Sequence, residues 1–456
     1  MFLENNEDPN LSVADFYAGR SVFITGATGF LGMMCLEKLI YSCPQIHKIY
    51  VLIRTKKNQN PEQRLQTMID SPVFTRIKKE RPEDLSKIVP IPGDIAAPDL
   101  DIKAEDEAIL INEVSVVFHA AATVKFNEPL SAALNVNLEG TRRVFTLSQR
   151  MKCIKVFVHI STMYTNTDKT VVEEIVYPPP KDLGEVYKFA RNYGDDAEKV
   201  SKMIEGRPNT YTFTKALTET MISEKRGDLP VVIVRPSIVT PSIKEPFPGW
   251  LDNWYGATSS LTVIAKGICR GVVGNRRNIL DLIPVDYVSN LTLISAAKCN
   301  SKGQLTVLNS CSSHVNPITC GELVKLYTQQ SVKERFYSLP FPGVILMTKY
   351  KWILRVISFN MKTVAFVVDL VLRIIGRKPK YVKLIKMSDY ARDLVEYFTS
   401  HSWVFKCDEV RALYASLSLQ DQKTFPCDPS HIVWNQYIPL YFNSVKKHLL
   451  DTQKRF

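Results

Sequence analysis

The feature that most limits the possible folds is an alternation of short apolar runs with longer helical patterns over about the first 320 residues. Amphipathic stretches such as residues 31–42 and 139–152 predict helices between the runs. The runs are rich in Val and Ile, as in strands buried on both faces; they cover residues 21–25, 48–54, 114–121, 156–161, 231–237 and 305–310. Repeated βαβ units predict an α/β fold with a doubly wound parallel sheet of the Rossmann type.

A glycine-rich turn, TGATGFLG, follows the first run at residues 25–32. In a dinucleotide-binding βαβ unit, one glycine allows a tight turn, a second lets the backbone approach a diphosphate, and a third lets the helix pack on the strand. Gly26, Gly29 and Gly32 fit these positions, and the diphosphate would lie at the N-terminus of the helix. The alternative is a glycine-rich turn without a ligand. Because the turn joins a buried strand to an amphipathic helix, we interpret it as a dinucleotide site.

The end of the second run indicates which dinucleotide is bound. An NAD site usually offers an acidic side chain to the ribose hydroxyls, whereas an NADP site offers a cation to the additional phosphate. No Asp or Glu occurs between Glu37 and Glu62, and Arg54, Lys56 and Lys57 follow the run. The sequence therefore predicts NADPH as the cofactor. A basic loop that faces solvent is the alternative interpretation.

A tyrosine and a lysine lie four residues apart in the sequence NTYTFTKALTE. Tyr211 and Lys215 share one face if this stretch is helical. A neighbouring ammonium group stabilises a phenolate, so we expect Lys215 to lower the pKa of Tyr211 and allow proton transfer to a carbonyl oxygen. The spacing alone is weak evidence, because any amphipathic helix can contain it by chance. The upstream dinucleotide motif makes the catalytic interpretation stronger.

The 456 residues are enough for two or three domains. We expect an N-terminal tail at 1–19, an NADP-binding Rossmann domain at 20–330 and a mainly helical C-terminal domain at 331–456. The boundary is drawn where large apolar residues and cations become dense, near residues 320–335. Residues 167–208, which include YPPPK, interrupt the βα pattern and predict an inserted surface element.

The net charge and the cysteines indicate which ligands and which cellular compartment to expect. A net charge of +12 and a pI near 9.1 favour binding to a polyanion, which is a nucleic acid, an anionic membrane or a phosphorylated ligand. The nine cysteines form no CxxC pair and no His/Cys metal spacing, so we expect reduced, mostly buried thiols and no metal site. The polar N-terminal stretch has no signal-peptide pattern, which favours a cytosol-facing protein.

Motifs along the whole chain resemble those of one family. TGATGFLG, HAAATVKF, NVNLEGT, HISTMYTN, YTFTKALTE and VRPSIV follow the order found in extended short-chain dehydrogenases/reductases. The segments LVLRIIGRKP, SHSWVFKCDEVRAL and IVWNQYIPLYFNSVKKHLL resemble the C-terminal domain, named after male sterility, of alcohol-forming fatty acyl-CoA reductases. The Rossmann motifs indicate only the superfamily, and the C-terminal segments indicate these reductases.

The resemblance implies a role for each matching residue. Tyr211 would donate a proton, Lys215 would support it and bind the ribose, and Thr162, or Ser161 beside it, would hydrogen bond to the substrate carbonyl. The implied cofactor contacts are Gly26, Thr28, Gly29, Phe30, Leu31, Gly32, Arg54, Lys57, Asp94, Ile95, Ala120, Ala121, Asn137, Lys215, Pro236 and Ser237. Plain packing is the alternative for Asn137 and Pro236. His119 and His159 lie on buried runs and are interpreted as core histidines.

The reaction that the resemblance implies is NADPH-dependent reduction of a long-chain fatty acyl-CoA to a primary alcohol, through an aldehyde, with release of CoA. The cationic chain suits the phosphates of CoA, and a nucleic acid is not expected. One alternative is another extended reductase that acts on a lipophilic ketone, alcohol or sterol. A second is a catalytically silent dinucleotide-binding scaffold, which the intact Tyr211 and Lys215 pair disfavours.

The apolar segment at residues 341–376 suggests contact with a membrane. Charged residues interrupt it too often for a clean span; they are Lys349, Lys351, Arg355, Lys362, Asp369 and Arg373. A basic amphipathic segment in the membrane interface fits better, and a buried helical core is the alternative. We expect peripheral association with the cytosolic face of the endoplasmic reticulum, or alternatively with peroxisomes or lipid droplets.

Overall fold

The computed structural model describes residues 11–56, 59–336 and 345–450. Its strands are β1 Ser21–Thr25, β2 Ile49–Ile53, β3 Ile88–Pro92, β4 Val114–His119, β5 Val156–Ile160, β6 Val171–Val172, β7 Val231–Pro236, β8 Ile238–Thr240, β9 Gly271–Val273, β10 Leu282–Pro284, β11 Leu305–Ser310, β12 Leu346–Thr348 and β13 Val404–Phe405. Seven of them form one parallel sheet in the order β11-β7-β5-β4-β1-β2-β3. The order reverses between β1 and β4, and ligands bind at such a switch point.

The helices that connect and flank these strands are α1 Val13–Tyr17, α2 Phe30–Ser42, α3 Pro61–Ile69, α4 Thr75–Glu80, α5 Ala104–Glu113, α6 Leu130–Ala133, α7 Gly140–Gln149, α8 Leu183–Tyr193, α9 Ala197–Met203, α10 Thr210–Lys225, α11 Ala257–Ala265, α12 Val285–Lys298, α13 Cys320–Lys333, α14 Lys351–Ile374, α15 Tyr381–Ser400, α16 Asp408–Ala415, α17 Leu419–Thr424 and α18 Trp434–Ser444. Capping boxes start α3, at Asn60 and Gln63, and α13, at Thr319 and Glu322. Such caps contribute about 1 kcal/mol each to helix stability.

Alternate residues of β1 pack into different apolar layers. Val22 and Ile24 join a cluster with α2 and α12, whereas Phe23 joins a second cluster with α7 and α10. The side chains of successive strand residues point to opposite faces, so the sheet is covered on both sides. The prediction of a doubly wound parallel sheet is confirmed.

Strand β3 was not predicted by the apolar pattern. Its sequence, IVPIP, carries prolines at positions 90 and 92, which lack the N–H needed for a central strand. The strand lies at one edge of the sheet and pairs only with β2 among the described strands. An edge position tolerates proline, and this explains why a strand with little strand character still forms.

Residues from both ends of the chain pack into the cluster that covers β1. In α1, Tyr17 is buried and its hydroxyl donates to the carbonyl of Leu293 in α12 at 2.8 Å. In α18, the Tyr437 hydroxyl donates to the carbonyl of Pro241 at 2.6 Å. One apolar core contains residues on both sides of position 19 and on both sides of position 330. The predicted domain limits at residues 19 and 330 therefore remain predictions.

The segment predicted as an insertion contains β6, α8 and α9. Its β6 pairs in parallel with β13, which connects it to the C-terminal part of the chain.

All nine cysteines are free and all except Cys153 are buried, as predicted. Among the described helices, none is both long enough and apolar enough to cross a bilayer.

Candidate active site

The glycine-rich turn between β1 and α2 is closely packed. Gly26 has a φ of +77°, and a Cβ at this position would lie 2.6 Å from the backbone nitrogen of Ala121. A Cβ on Gly32 would overlap the carbonyl group of Gly26. Gly29 is the N-cap of α2 and supplies no capping side chain, so first-turn N–H groups remain available to an anion. The turn therefore has the shape and polarity of an NAD(P) diphosphate site.

A single large cavity of about 1560 Å³ begins at this turn. Its volume exceeds the roughly 1,000 Å³ of a large one-ligand pocket, which leaves room for a dinucleotide and a second ligand. The cavity is lined by most of the predicted site residues, namely Gly26, Thr28, Gly29, Phe30, Leu31, Gly32, Arg54, Asp94, Ile95, Ala120, Ala121, Ser161, Thr162, Tyr211, Lys215, Pro236 and Ser237. Lys57 lies outside the described residues.

Tyr211 lies on the first turn of α10, where the Asn209 side chain caps the helix. Its hydroxyl faces the hydroxyl of Thr162, and its ring stacks on that of Phe126 with the ring centroids 6.3 Å apart. Burial raises the pKa of Tyr211 to about 12, and the hydrogen bond from Thr162 opposes this shift. The phenol therefore holds its proton at neutral pH, as a proton donor requires.

Lys215 is fully buried one helical turn after Tyr211. Its ammonium group donates a 2.7 Å hydrogen bond to the carbonyl oxygen of Ile160 at the end of β5. Burial lowers the pKa of Lys215 to about 7, against an opposing effect of Glu219. The expectation that Lys215 lowers the pKa of Tyr211 is wrong for this structure, because burial dominates and the hydrogen bond to Tyr211 comes from Thr162.

The structure distinguishes the two adjacent hydroxyl residues after β5. The Ser161 hydroxyl donates to the Glu219 carboxylate at 2.5 Å. Glu219 also forms a buried, bidentate ion pair with Arg235, at 2.6 and 2.9 Å. Ser161 is therefore held by a structural network, and Thr162 is the hydroxyl that contacts Tyr211.

Asn137 lies behind the cavity wall and does not line the cavity. Its amide nitrogen donates to the carbonyl of Thr123 and to the hydroxyl of Thr214, and its amide oxygen accepts from the Thr123 N–H. Asn137 thus connects the loop after β4 to the helix that carries Tyr211. The expected bracing role fits these contacts, whereas the cofactor contact implied by the resemblance does not, because the side chain is fully buried away from the cavity.

The end of the cavity next to β2 is basic. Arg54 is 56% exposed and lies 3.6 Å from the Asp94 carboxylate. Arg64 of α3 also lines the cavity and donates to the Thr28 hydroxyl and to the Arg54 carbonyl. Arg64 was missed by the sequence analysis, because nothing in its own helix distinguishes it from a solvent-facing residue.

The other end of the cavity is formed by the C-terminal half of the chain. Helices α11, α13 and α15 contribute apolar side chains there, including Leu261, Leu323 and Phe398. Phe398 packs against Phe126, with the ring centroids 5.6 Å apart, and Phe126 in turn packs on Tyr211. We call this part the apolar arm. It could not be predicted from the sequence, because these residues lie far from Tyr211 along the chain.

His119 and His159 stack on each other beneath the site, 5.5 Å apart. His119 hydrogen bonds to the hydroxyls of Thr25 and Thr141, and burial lowers its pKa to about 3. His119 is a neutral core histidine, as expected. Burial also lowers the pKa of His159, whose ring nitrogens have no hydrogen-bond partner among the described residues.

Comparison with protein families gives two matches, both to models described as "Male sterility protein", at residues 24–292 and 361–452. Among curated proteins, the chain is 38% identical over 452 residues to fatty acyl-CoA reductase 1 of Xenopus laevis, covering 97% of this chain and 87% of the relative. It is 36% identical to the Homo sapiens protein of the same name, with the same coverage. It is 34% identical to fatty acyl-CoA reductase 2 of Bos taurus, covering 96% and 86%.

Solved structures share the fold at lower identity. The terminal R domain of the myxalamid PKS-NRPS biosynthetic pathway aligns with a TM-score of 0.64 at 20% identity, covering 94% of this chain and 91% of that domain. The reductase domain of a non-ribosomal peptide synthetase from Mycobacterium tuberculosis aligns with a TM-score of 0.62 at 16% identity, covering 97% and 96%. These likenesses extend over both the Rossmann sheet and the C-terminal helices.

Proposed function

Because the chain belongs to the fatty acyl-CoA reductase family, we propose that it reduces long-chain fatty acyl-CoA to a primary alcohol with NADPH as the reductant. The observation that carries this proposal is the continuity of the cavity. It runs from the glycine-rich turn, past Tyr211 and Thr162, into the apolar arm. A reductase of lipid thioesters needs these three parts in this order, because the reacting carbonyl lies between the cofactor and the acyl chain.

The chain's own groups supply the proton and orient the carbonyl. One NADPH would supply a hydride to the thioester carbon, whose bond to sulfur then breaks to release CoA as the thiol, and a second NADPH would supply a hydride to the resulting aldehyde. Thr162 and Tyr211 can both hydrogen bond to the substrate oxygen, and Tyr211 can give it a proton because its pKa of about 12 keeps the phenol protonated. Lys215 is held against the Ile160 carbonyl and fixes the register of α10 on β5.

NADPH is proposed from the basic end of the cavity. Arg54 and Arg64 are the two arginines that line it there. Two guanidinium groups on adjacent elements can form paired hydrogen bonds with a phosphate. The acidic side chain of an NAD site belongs at the end of β2. Asp94 lies close to Arg54 but follows β3, so it does not occupy that position.

The substrate class is proposed from the apolar arm. Its side chains are contributed by α11, α13 and α15, and small residues such as Ala257 and Ala391 leave the space open. An acyl chain gains free energy from such burial at roughly 0.8 kcal/mol per methylene. The arm therefore favours a long, unbranched acyl group over a short one.

The test is product analysis with purified protein, palmitoyl-CoA and NADPH. We expect hexadecanol in the lipid extract, with two NADPH consumed for each CoA released. Aldehyde as the sole product, with one NADPH per CoA, would contradict the alcohol-forming proposal. Reduction of a ketone or sterol without consumption of any acyl-CoA would favour the alternative reductase.

We also propose that the enzyme works at the cytosolic face of the endoplasmic reticulum, with peroxisomes and lipid droplets as the alternatives. The support is chemical: a long-chain alcohol partitions into lipid, and the chain carries a net charge of +12 that suits an anionic surface. Fluorescence microscopy of the full chain with organelle markers tests this. A diffuse signal that extracts without detergent would contradict it.

A further inference from the structure

Helix α14 leaves a long apolar stripe exposed. Trp352, Phe359 and Ile374 are 64%, 70% and 77% exposed. Seven of its exposed apolar residues lie on one side of the helix, and Val364, Val368 and Val371 extend the exposed apolar surface along one flank. The stripe, called the α14 stripe below, consists of Trp352, Val356, Phe359, Phe366, Val367, Leu370 and Ile374. Large exposed apolar surfaces of this kind mark interaction sites.

The opposite side of α14 packs on α15. Ser358 and Lys362 both contact the Asp389 carboxylate at 2.7 Å, and Lys351 pairs with Glu396. These contacts run in opposite directions along the two helices, so α14 and α15 form an antiparallel hairpin. Because α15 covers only the side of α14 that holds Leu354 and Ala365, the α14 stripe is not covered by any described part of the chain.

The hairpin is strongly cationic. Residues 345–400 contain eleven Lys and Arg side chains and four carboxylates, which are Asp369, Asp389, Asp393 and Glu396. Asp369 is buried and accepts backbone N–H groups at the start of α15, so it contributes little negative charge to the surface. Arg355 and Arg373 lie on one side of the helix, beside the stripe, whereas Lys362 is paired with Asp389 of α15. Apolar and basic faces side by side are typical of helices that lie in an anionic membrane interface.

The cavity opens next to this hairpin. Tyr390 lines the cavity and is also 53% exposed, so the cavity reaches the surface at α15. Tyr390 directly follows Asp389, which contacts the middle of α14 through Ser358. A lipid that enters or leaves the apolar arm by this mouth therefore does so beside the α14 stripe.

We propose that the α14 stripe docks on an anionic phospholipid bilayer, with α14 lying in the headgroup region and the cavity mouth at Tyr390 close to the membrane surface. The proposal rests on the proposed function in one respect, because it takes the molecule that uses this mouth to be a lipid. Lipid is favoured over a protein partner because the stripe is bordered by cations on the same helix, which complement anionic headgroups.

Vesicle sedimentation of the purified full chain tests the docking. We expect the protein to sediment with vesicles of phosphatidylcholine and phosphatidylserine, and less with phosphatidylcholine alone. Phe359→Glu/Ile374→Glu should weaken binding by at least about tenfold, because it places charge in the apolar face. Arg355→Gln/Arg373→Gln should weaken binding only to the anionic vesicles and reduce its dependence on salt. The matched control, Val332→Glu/Leu419→Glu, changes two exposed apolar residues elsewhere and should bind like the wild type.

Three measurements keep the result interpretable. Thermal unfolding should show that Phe359→Glu/Ile374→Glu folds like the wild type, since both side chains are exposed. NADPH consumption with albumin-bound palmitoyl-CoA, in the absence of vesicles, should be unchanged in this variant. A wild-type protein that binds vesicles but consumes no NADPH would overturn the proposed function and leave the docking in place.

Either of two outcomes would overturn the docking. One is vesicle binding by Phe359→Glu/Ile374→Glu that equals that of the wild type. The other is a lipid-free wild-type dimer that becomes monomeric in this variant, which would assign the stripe to a second copy of the chain. Light scattering of both proteins distinguishes the second case.

Discussion

The hydroxyl groups of Thr162 and Tyr211 face each other across the junction between β5 and α10. Ser161, one residue earlier, turns its hydroxyl to Glu219 instead. Two adjacent residues that look interchangeable in the sequence therefore have different surroundings, and they should respond differently to substitution.

Thr162→Val should lower kcat/KM by about 100-fold, because it removes a hydroxyl from the cavity and keeps the shape, and should lower the free energy of unfolding by about 1 kcal/mol, because the Tyr164 N–H loses its cap. Ser161→Ala should retain most activity but lower the free energy of unfolding by about 1–3 kcal/mol, because Glu219 loses a buried donor. Steady-state kinetics and urea unfolding of both variants check this. The reverse pattern would assign the substrate contact to Ser161.

Tyr211→Phe should lower kcat by roughly 100- to 10,000-fold while NADPH affinity stays nearly unchanged, because the change removes a proton and leaves the cofactor end of the cavity intact. Fluorescence titration with NADPH and single-turnover kinetics separate binding from chemistry. Tyr193→Phe, at an exposed tyrosine, is the matched control and should be fully active. Substantial turnover by Tyr211→Phe would remove this residue as the acid.

Arg54→Asp should raise the KM for NADPH far more than the KM for NADH, because a cation at this position pairs only with the additional phosphate. Arg64→Ala should act in the same direction, since Arg64 donates to Thr28 and to the Arg54 carbonyl at this end of the cavity. Lys79→Asp, at an exposed position on α4, serves as the control for net charge. Equal changes for the two cofactors would place Arg54 in a solvent-facing basic loop.

Lys215 should make stability depend on pH in a defined window. Burial lowers its pKa to about 7 in the folded protein, from 10.5. Above pH 7, Lys215 is therefore protonated in the unfolded chain but mostly neutral in the folded protein. Because the unfolded chain binds more protons, the free energy of unfolding rises with pH by up to about 1.4 kcal/mol per pH unit. Burial also raises the pKa of Glu174 to about 7, which acts in the opposite direction at the start of this window, so the effect of Lys215 has to be measured against a variant at Lys215.

Urea unfolding of the cofactor-free protein between pH 7 and 8.5 measures this effect. Lys215→Met keeps the length of the side chain but cannot titrate. We expect the wild type to gain stability relative to this variant as the pH rises, by about 1.6 kcal/mol over the window. A constant difference between the two proteins would mean that Lys215 keeps its ordinary pKa despite its burial.

Features that depend on neighbours in the chain could be predicted from the sequence. The turn at residues 25–32 needs glycine where φ is positive at Gly26 and where α2 crosses the Gly26 carbonyl, and both demands act within a few residues. Five of the six predicted strands are buried at every position, and the sixth, β11, is buried over its last four residues. Tyr211 and Lys215 share a helix face because of their spacing. Local backbone geometry and side-chain periodicity were sufficient for each of these.

Features that depend on distant neighbours required the tertiary structure. Strand β3 contains prolines and forms because it lies at the edge of the sheet beside β2. Burial, not the charge on Lys215, sets the pKa of Tyr211. Phe398 joins Phe126 and Tyr211 in one wall of the cavity only because α15 folds back on the Rossmann part of the chain. Desolvation and packing arise from residues far apart in sequence, so no local pattern records them.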